Sequence, residues 1–284
     1  MLNVDLHCHS SVSDGALPPA QVAALAHANG VDVWALTDHD EIGGVAEARE
    51  AARDLGMQHV TGVEISITWA ARTIHVVGLR FDEKNEDLVR GLASTRSGRE
   101  RRAREMADQL AKAGIPDAFE GALKYVGNPD LISRTHFARY LIERGVCADV
   151  PEVFRNYLTE GKPGYVPHRW ATLKDAVSWI RGAGGIAVVA HPGRYELDEL
   201  ELDVFLREFK RFGGAGIEVV TGSHTPEEYP VYAKVAQQYG LLASRGSDFH
   251  APGESQTELG GLPPLPATLQ PVWHDWGLQS SRRT

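Results

Sequence analysis

Two histidines near the start of this 284-residue chain have the spacing of metal ligands. His7 and His9 lie two residues apart, alternating with the apolar residues Val4, Leu6 and Cys8. Because residues i and i+2 of a β-strand share one face, both imidazoles can reach one metal ion while the apolar residues take the opposite face. An isolated His-x-His pair is more often accidental, so the interpretation depends on the remaining acids and histidines.

Further histidines and acids fall at or near the ends of predicted strands. They are Asp14 after the first strand, His39 after the second, Glu64 at the end of the third, His75 in the fourth, His191 after a later strand, and Asp248 and His250 after the last. Loops at the carboxyl ends of parallel strands gather on one face of an α/β barrel, so these groups should meet in one cavity. Clustered carboxylates repel one another unless cations neutralise them, which predicts bound divalent metals. The other interpretation is that they are separate loop residues, each with its own hydrogen bonds.

Six motifs of the chain resemble those of the polymerase and histidinol phosphatase (PHP) family. In order they are His7-Cys8-His9, Ser13-Asp14-Gly15, Thr37-Asp38-His39-Asp40, Gly62-Val63-Glu64, Ala190-His191-Pro192 and Ser247-Asp248-Phe249-His250. The resemblance covers nearly the whole chain. Within the family it is nearest to the bacterial branch of nucleoside 3′,5′-bisphosphate phosphatases and 5′→3′ exoribonucleases.

The resemblance implies three metal positions. The first is formed by His7, His9, Glu64 and Asp248, the second shares Glu64 and adds His75 and His191, and the third takes Asp14, His39 and His250. Some relatives have a histidine where this chain has Asp14, so the third position is harder in ligand character and should prefer Mn²⁺ or Mg²⁺ over Zn²⁺. The expected cofactors are therefore divalent metal ions, three in number, with Mn preferred and Mg, Zn or Fe as alternatives.

The same resemblance implies a metal-dependent phosphoric ester hydrolase. Its expected substrates are nucleoside 3′,5′-bisphosphates, which would lose the 3′-phosphate, and short single-stranded RNA with a 5′-monophosphate. No catalytic side chain is expected beyond the metal ligands, because a hydroxide held between metals would be the nucleophile. A histidinol-phosphate phosphatase or another small phosphomonoesterase, and a metal-supported binding module without activity, remain as alternatives.

Alternating strands and helices must position these groups. Pro18-Pro19 predicts a helix start, which Asn29-Gly30 ends, and Gly43-Gly44 precedes a second helix. Further helices are expected over residues 173–183, 198–212 and 226–239, with strands between them. The glycines of residues 213–216 are expected to stop a helix. About seven strands in this pattern predict an α/β fold with parallel strands, and the family resemblance likewise implies a distorted seven-stranded (β/α) barrel.

The alternation breaks in the middle of the chain. Residues 94–167 read as an inserted helical cap subdomain, and residues 1–93 and 168–284 as the barrel. Residues 96–170 hold 13 Lys and Arg against 10 Asp and Glu, a net charge of +3, whereas the whole chain carries −9. A basic cap over an acidic cavity suits a phosphorylated substrate, while the overall charge argues against duplex DNA. The arginines of residues 96–104 are interpreted as a solvated helix face.

Six residues are candidates for substrate binding. They are Asn128, Ser133, Arg134 and His136 in one segment of the cap, Lys162 in a glycine and proline loop, and Arg194 shortly after His191. Ser133 or Thr135 would cap the following helix and place Arg134 near an anion, which Lys162 could also reach. Arg194 should overlook the metals. For each residue the alternative role is a surface cation or a structural hydrogen-bond donor.

Composition restricts the location of the protein. The two cysteines, Cys8 and Cys147, cannot form a disulfide scaffold, and neither a signal peptide nor a membrane-length apolar run is present. These features predict a cytoplasmic protein with no membrane partner, and they leave the oligomeric state open. The segment from Leu262 through Trp276 is expected to wrap the barrel, and Ser280 to Thr284 to be disordered.

Overall fold

A computed structural model describes residues 2–278 as a seven-stranded sheet surrounded by helices. The strands, paired in chain order, are β1 (Val4–Asp5), β2 (Val33–Leu36), β3 (Gln58–Trp69), β4 (Arg72–Leu79), β5 (Ile186–Val189), β6 (Gly216–Thr221) and β7 (Leu242–Gly246). The last strand returns to the first, since the backbone N–H of Leu6 donates to the carbonyl of Arg245 at 3.0 Å. The backbone N–H of Asp248 donates to the carbonyl of His7 at 2.8 Å. The predicted α/β fold is confirmed as a nearly closed seven-stranded barrel.

Ten α-helices are described. They are α1 (Pro19–Ala28), α2 (Val45–Asp54), α3 (Glu86–Arg96), α4 (Arg99–Lys112), α5 (Ala118–Leu123), α6 (Arg134–Glu143), α7 (Val150–Val153), α8 (Leu173–Gly182), α9 (Glu199–Phe212) and α10 (Glu228–Tyr239). The five helices predicted outside the cap are all present. Gly213 follows α9 with φ of +100°, a conformation that glycine adopts without steric cost. The glycines of residues 213–216 therefore stop a helix, as predicted.

One strand departs from the parallel arrangement predicted from the sequence. β4 is antiparallel to both β3 and β5, and it follows β3 through a tight turn at Ala70 and Ala71, which have φ of 45° and 63°. A two-residue hairpin turn usually contains glycine, asparagine or aspartate, so Ala70-Ala71 gave no sequence signal for the reversal. The reversal places His75 opposite Ser66, near the carboxyl end of β3. His75 therefore reaches the same end of the barrel as the other candidate ligands.

The apolar core divides between the barrel and the cap. Val33, Val77 and Val188 belong to a buried cluster that is shared by strands from across the sheet. A different cluster, in which Phe137 and Leu141 are fully buried, draws its buried members from residues 103–166. Burying each such side chain contributes roughly 1.5–3 kcal/mol, which gives the cap a core of its own.

The division into barrel and cap remains a proposal, which the separate cap core supports. α3 contacts the barrel helix α8, and a Cβ added at Gly91 would lie 2.4 Å from the ring of Trp179. A boundary at residue 94 would therefore cut a helix that packs on the barrel.

The C-terminal segment returns to the barrel, as expected. The backbone N–H of Ala243 in β7 donates to the carbonyl of Gln270 at 2.8 Å, and that of Val272 donates to the carbonyl of Ala243 at 2.9 Å. Ser280 to Thr284, predicted to be disordered, lie outside the described residues. Over residues 2–278, no helix combines the length and the apolar character that crossing a membrane requires.

Candidate active site

The nine residues predicted as metal ligands come together at one end of the barrel. We call them the ligand cluster: His7, His9, Asp14, His39, Glu64, His75, His191, Asp248 and His250. Glu64 at the centre has no exposed surface, and neither have His7 and His9. The cluster is therefore an interior polar site, for which the sequence predicted both the residue types and the convergence.

The ligand atoms are close enough to share metal ions. Four sets have ligand atoms that all lie within 4.8 Å of one another: His9, Asp14, His39 and His250; His7, His191 and Asp248; His7, His9 and Glu64; and His39, Glu64 and His75. The sets overlap through His7, His9, His39 and Glu64. They therefore form one continuous cluster of candidate metal ligands.

Glu64 has the geometry of a bridging carboxylate. Its Oε1 lies 3.3 Å from His7 Nε2, 3.0 Å from His75 Nδ1 and 2.9 Å from His191 Nε2, whereas its Oε2 lies 3.4 Å from His9 Nε2 and 2.9 Å from His39 Nδ1. Each oxygen thus faces several candidate ligands, which suits a carboxylate shared between metal positions, although Oε1 faces imidazoles of both the first and the second implied positions.

His7 and His9 lie in irregular backbone, whereas their spacing predicted a strand that continues through both residues. β1 ends at Asp5, and Cys8 makes only an isolated bridge to Phe249. Cys8 accordingly packs with Trp34, away from the cluster that holds Val4. The two imidazoles nevertheless meet, with their Nε2 atoms 3.3 Å apart. His9 also approaches His250, at 4.2 Å between ring centroids, so it lies between the first and third implied metal positions.

Unpartnered polar atoms show that the cluster fits cations. Within residues 2–278, the buried atoms that make no hydrogen bond include His9 Nδ1, Asp14 Oδ1 and His191 Nδ1. Buried polar atoms in proteins nearly always have a partner. Imidazole nitrogens and carboxylate oxygens are ligands for divalent metals such as Mn²⁺, Fe²⁺ and Zn²⁺.

Some residues of the ligand cluster are already in the protonation state that binds metals. Burial alone would raise the pKa of Glu64, but the imidazoles of His75, His39 and His7 hold it well below its usual range. Burial lowers the pKa of His191 to about 3 and that of His250 to about 4. At neutral pH the carboxylate is therefore ionised and these two imidazoles are neutral, which are the forms that bind metals. Burial would lower the pKa of His39, but Glu64 and Asp14 raise it to about 9, so the His39 imidazole must lose a proton when it binds a metal.

Glu218 in β6 supports the cluster and was missed in the sequence. It is buried at 1% exposure, its Oε1 accepts from His7 Nδ1 at 2.9 Å, and its Oε2 accepts from the backbone N–H of His191 at 2.7 Å. Such partners orient the ligating imidazole. The sequence feature that could have indicated this role is a single carboxylate within the apolar residues 217–220. Burying a charge in such a strand is unfavourable unless the charge has a partner.

A second buried carboxylate, Asp38, holds the loop that carries Asp14. It accepts hydrogen bonds from the Ser10 and Ser13 hydroxyls, both at 2.6 Å, and from the backbone N–H of Ser10 at 2.8 Å. The loop also needs Gly15, because a Cβ there would lie 2.5 Å from the carbonyl oxygen of His9. Within the motif of residues 37–40, Asp38 is thus a structural residue beside the candidate ligand His39.

A cavity of about 460 Å³ opens above the ligand cluster. Its barrel side includes Asp14, His75 and Asp248, and its cap side includes Arg134 and Phe154. The cap therefore forms a wall of the cavity that contains the candidate metal centre.

Comparison with known proteins identifies the family to which the chain belongs. The sequence profile of the PHP domain family matches residues 5–162. The chain belongs to the PHP family. A 3′,5′-nucleoside bisphosphate phosphatase of Chromobacterium violaceum is 49% identical over 97% of this chain and 96% of its own length. A 5′-3′ exoribonuclease of Haemophilus influenzae is 42% identical over 95% of this chain and 97% of its own.

A solved structure agrees with the PHP assignment. An amidohydrolase of Chromobacterium violaceum, described with bound sulfate and no metal, superposes with a TM-score of 0.94 at 49% identity. The superposition covers 96% of this chain and 95% of that chain. The family resemblance and the prediction of an enzyme are confirmed.

Three of the six substrate-binding candidates line the PHP cavity. They are Ser133, Arg134 and Arg194. The Ser133 hydroxyl donates to Asp14 Oδ2 at 3.1 Å, and Arg194 Nη1 lies 3.3 Å from Asp248 Oδ2. Arg134 has its guanidinium 5.4 Å from the centre of the Phe154 ring.

The other three candidates do not line this cavity. His136 has no exposed surface, and its Nδ1 accepts from the backbone N–H of Ser133 at 3.0 Å, closing a capping box at the start of α6. The Asn128 side-chain oxygen caps a short 3₁₀-helix by accepting a hydrogen bond from the backbone N–H of Asp130. Lys162 lines a separate depression on the cap. Local backbone hydrogen bonds occupy the first two side chains, and the third lies on another face.

The arginines at the start of α4 divide between the cavity and solvent. Arg99 and Arg102 are buried at 5% and 7% exposure and line the cavity, so their interpretation as a solvated face was wrong. Arg101 and Arg104 fit that interpretation, since both are exposed and pair with glutamates four residues away. The residues at 99 and 102 share a helical face because they are three apart.

Proposed function

We propose that this PHP enzyme is a metal-dependent phosphoesterase that hydrolyses the 3′-phosphate of nucleoside 3′,5′-bisphosphates and releases nucleoside 5′-monophosphates. One observation carries the proposal: a cluster of metal-ligand type and a group of cap arginines line the same cavity. A small molecule with two phosphates can bind both at once. The similarity to the Chromobacterium violaceum phosphatase supports this substrate.

The ligand cluster would hold divalent metal ions, for which we propose three, with Mn²⁺ preferred where Asp14 contributes. Bound there, the ions would neutralise charge on the phosphoryl oxygens and activate a water molecule. Arg194, beside Asp248, is positioned to donate to the same phosphoryl group. The Ser133 hydroxyl, at 3.1 Å, holds the Asp14 carboxylate in place.

A second candidate activity is 5′→3′ hydrolysis of short, single-stranded RNA with a 5′-monophosphate. The similarity to the Haemophilus influenzae exoribonuclease supports it. Both reactions need the same contacts, because a 5′-phosphate anchors the first nucleotide while the adjacent 3′-phosphoester is hydrolysed.

A phosphate-release assay tests the first activity. The protein, stripped with a chelator and reloaded with Mn²⁺, is given adenosine 3′,5′-bisphosphate or histidinol phosphate, and the products are separated by chromatography. We expect inorganic phosphate and adenosine 5′-monophosphate from the bisphosphate, and slow turnover of histidinol phosphate. Release of adenosine 3′-monophosphate, or a higher kcat/KM for histidinol phosphate, would contradict the proposal.

A matched pair of oligoribonucleotides tests the second activity. Two tetranucleotides of one sequence, with a 5′-monophosphate or a 5′-hydroxyl, are digested under the same conditions. Only the phosphorylated one should lose successive mononucleotides from its 5′ end. Shortening from the 3′ end, or equal cleavage of both, would exclude this activity.

A further inference from the structure

A short segment after β5 begins with one member of the ligand cluster and contacts two others. Residues 191–195, which we call the β5 loop, continue from that ligand into a short 3₁₀-helix. Within the loop, Arg194 Nη1 lies 3.3 Å from Asp248 Oδ2, and the Tyr195 hydroxyl accepts from the backbone N–H of His75 at 2.9 Å. The backbone of the β5 loop therefore affects the placement of three cluster residues.

The β5 loop starts from a strained conformation. His191 has φ of 24° and ψ of 62°, a region that residues other than glycine rarely adopt, and it precedes Pro192, which favours an extended backbone instead. Such a conformation persists only where the surrounding structure holds it. Glu218 contributes one contact, because its Oε2 accepts from the backbone N–H of His191 at 2.7 Å. This contact holds only the first residue of the loop.

His224 supplies a second contact from the turn that follows β6. Its Nε2 accepts a hydrogen bond from the backbone N–H of Gly193 at 3.0 Å. The residue is 4% exposed, and its ring stacks on Tyr232 of α10, with 4.5 Å between the ring centroids and 23° between the planes. A backbone amide can only donate, so Nε2 carries no proton. Burial lowers the pKa of His224, which favours this neutral form of the imidazole.

The β5 loop and the turn that carries His224 fit closely together. A Cβ added at Gly193 would lie 2.6 Å from Glu228 Oε1 and 3.0 Å from the His224 ring, so a larger residue there would press on both side chains. The turn has its own hydrogen bonds. The backbone N–H of His224 donates to the carbonyl of Thr221 at 3.1 Å, and that of Thr225 donates to Glu228 Oε2 at 2.7 Å. The hydrogen bond to Gly193 therefore connects the loop to a well-anchored turn.

His224 can affect the chemistry only through the β5 loop. It lies outside the lining of the cavity, and within the described residues it belongs to none of the four sets of ligand atoms. The loop that it holds brings His191 Nε2 to 2.9 Å from Glu64 Oε1 and places Arg194 beside Asp248.

We propose that His224 is a positioning residue, whose acceptor nitrogen holds the β5 loop so that His191 faces Glu64 and Arg194 faces Asp248. The inference rests on the proposed function, in which His191 holds metal and Arg194 contacts the reacting phosphoryl group. It adds to that function a residue from outside the cavity.

Three substitutions separate the acceptor atom from the ring. His224→Gln retains an acceptor and loses the ring, His224→Phe retains the ring and loses the acceptor, and His224→Met matches glutamine in length but has only a weak sulfur acceptor. Hydrogen–deuterium exchange of the full-length protein measures the protection of the β5 loop. The amides of this loop should exchange roughly 3- to 10-fold faster in His224→Phe and His224→Met than in wild type and His224→Gln, the effect of losing one hydrogen bond.

Equal exchange in all four proteins would overturn the inference. Faster exchange in His224→Gln as well would also overturn it, because the stacked ring and not the acceptor would then hold the loop. Either acceptor-free variant is sufficient for the comparison, so the test remains decisive if one of them does not fold.

Metal retention is a second measurement, and it requires no substrate. The proteins are loaded with Mn²⁺, dialysed against a competing chelator and analysed by mass spectrometry. His224→Phe and His224→Met should show a Mn²⁺ Kd raised roughly 10-fold, the lower end of the effect of losing a partner of a metal ligand. His224→Gln and His27→Phe, an exposed change in α1, should match wild type. Equal retention in all five proteins would contradict the inference.

Kinetics at saturating Mn²⁺ connect the β5 loop to the reaction. His224→Phe should lower kcat for adenosine 3′,5′-bisphosphate roughly 10- to 100-fold with little change in KM, because a displaced loop affects groups at the reacting phosphoryl and not those that bind the rest of the nucleotide. A wild-type kcat, or a change in KM alone, would overturn the positioning role. If wild type itself did not hydrolyse the bisphosphate, the proposed function would fail, whereas exchange and metal retention would still decide the role of His224.

Discussion

At the scale of single residues, Glu218 holds two candidate metal ligands with one carboxylate. One carboxylate oxygen accepts a hydrogen bond from the His7 imidazole, and the other accepts one from the backbone N–H of His191. A glutamine at this position has only one acceptor oxygen, and its amide NH₂ would face a donor. The negative charge that favours a basic His7 would also be lost.

We therefore expect Glu218→Gln to weaken metal binding by roughly 10- to 100-fold, the usual effect of removing such a partner. The measurement is metal content by mass spectrometry after dialysis against a competing chelator. Glu227→Gln, an exposed change at the start of α10, is the matched control. Equal metal retention in wild type and both variants would show that Glu218 does not position the ligands.

At the scale of elements, the first turn of α6 joins the cap to the barrel. Ser133 caps this helix, and both the Ser133 hydroxyl and the Thr135 hydroxyl donate to Asp14 Oδ2, at 3.1 and 3.0 Å. A carboxylate at a helix N-terminus is also stabilised by the helix dipole. Asp14 thus connects a helix of the cap to the ligand cluster.

Two substitutions separate capping from coupling. Ser133→Ala removes the helix cap and one bond to Asp14, whereas Thr135→Val removes only a bond to Asp14. We expect Ser133→Ala to destabilise the protein by about 1–2 kcal/mol and Thr135→Val by about 1 kcal/mol. Ser133→Ala should therefore unfold at a lower denaturant concentration than Thr135→Val, and both should unfold below wild type. Both variants should also bind Mn²⁺ more weakly than wild type.

The order of the two midpoints is the decisive result. If Thr135→Val were the less stable variant, the N-terminal helix cap formed by Ser133 would not be the larger contribution of this turn to the free energy of unfolding. If Mn²⁺ affinity were unchanged in both, the hydroxyls would not help to position Asp14.

At the scale of the whole molecule, a half-buried neutral histidine, His59, makes stability depend on pH. His59 lies outside the ligand cluster, with its ring 5.8 Å from that of Trp34. Burial, with a smaller effect of Arg49, lowers the pKa of His59 to about 4 from the ordinary 6.5. The unfolded chain therefore binds more protons between these values, so stability is complete above pH 6.5 and falls as the pH drops toward 4.

We accordingly expect the Tm of wild type to fall between pH 7.5 and pH 5. His59→Gln, whose side chain does not titrate, should show a smaller fall. The ligand-cluster histidines are common to both proteins, so the difference between the two reports on His59. The exposed His27→Gln is the control and should follow wild type. An equal fall in His59→Gln would mean that His59 does not carry this pH dependence.

Much of the fold and of the candidate site could be predicted from the sequence. The five helices that were predicted outside the cap have local start or stop signals, such as Pro19 in the first turn of α1 and Gly213 after α9. The nine cluster residues share a residue type and a position near strand ends, and they are brought together when the sheet closes. Residue type and position along the strands are properties of the chain alone.

Only the tertiary structure decided how the cap takes part in the site. Arg99 and Arg101 have the same charge and nearly the same position, but the packing of α4 on Trp170 puts the first in the cavity and leaves the second in solvent. The role of Glu218 likewise depends on a distant neighbour, because its partner His7 lies 211 residues away in the chain. Spacing along the chain determines which residues share one face of a helix or strand. It does not determine which residues or solvent that face contacts, because packing between distant segments decides this.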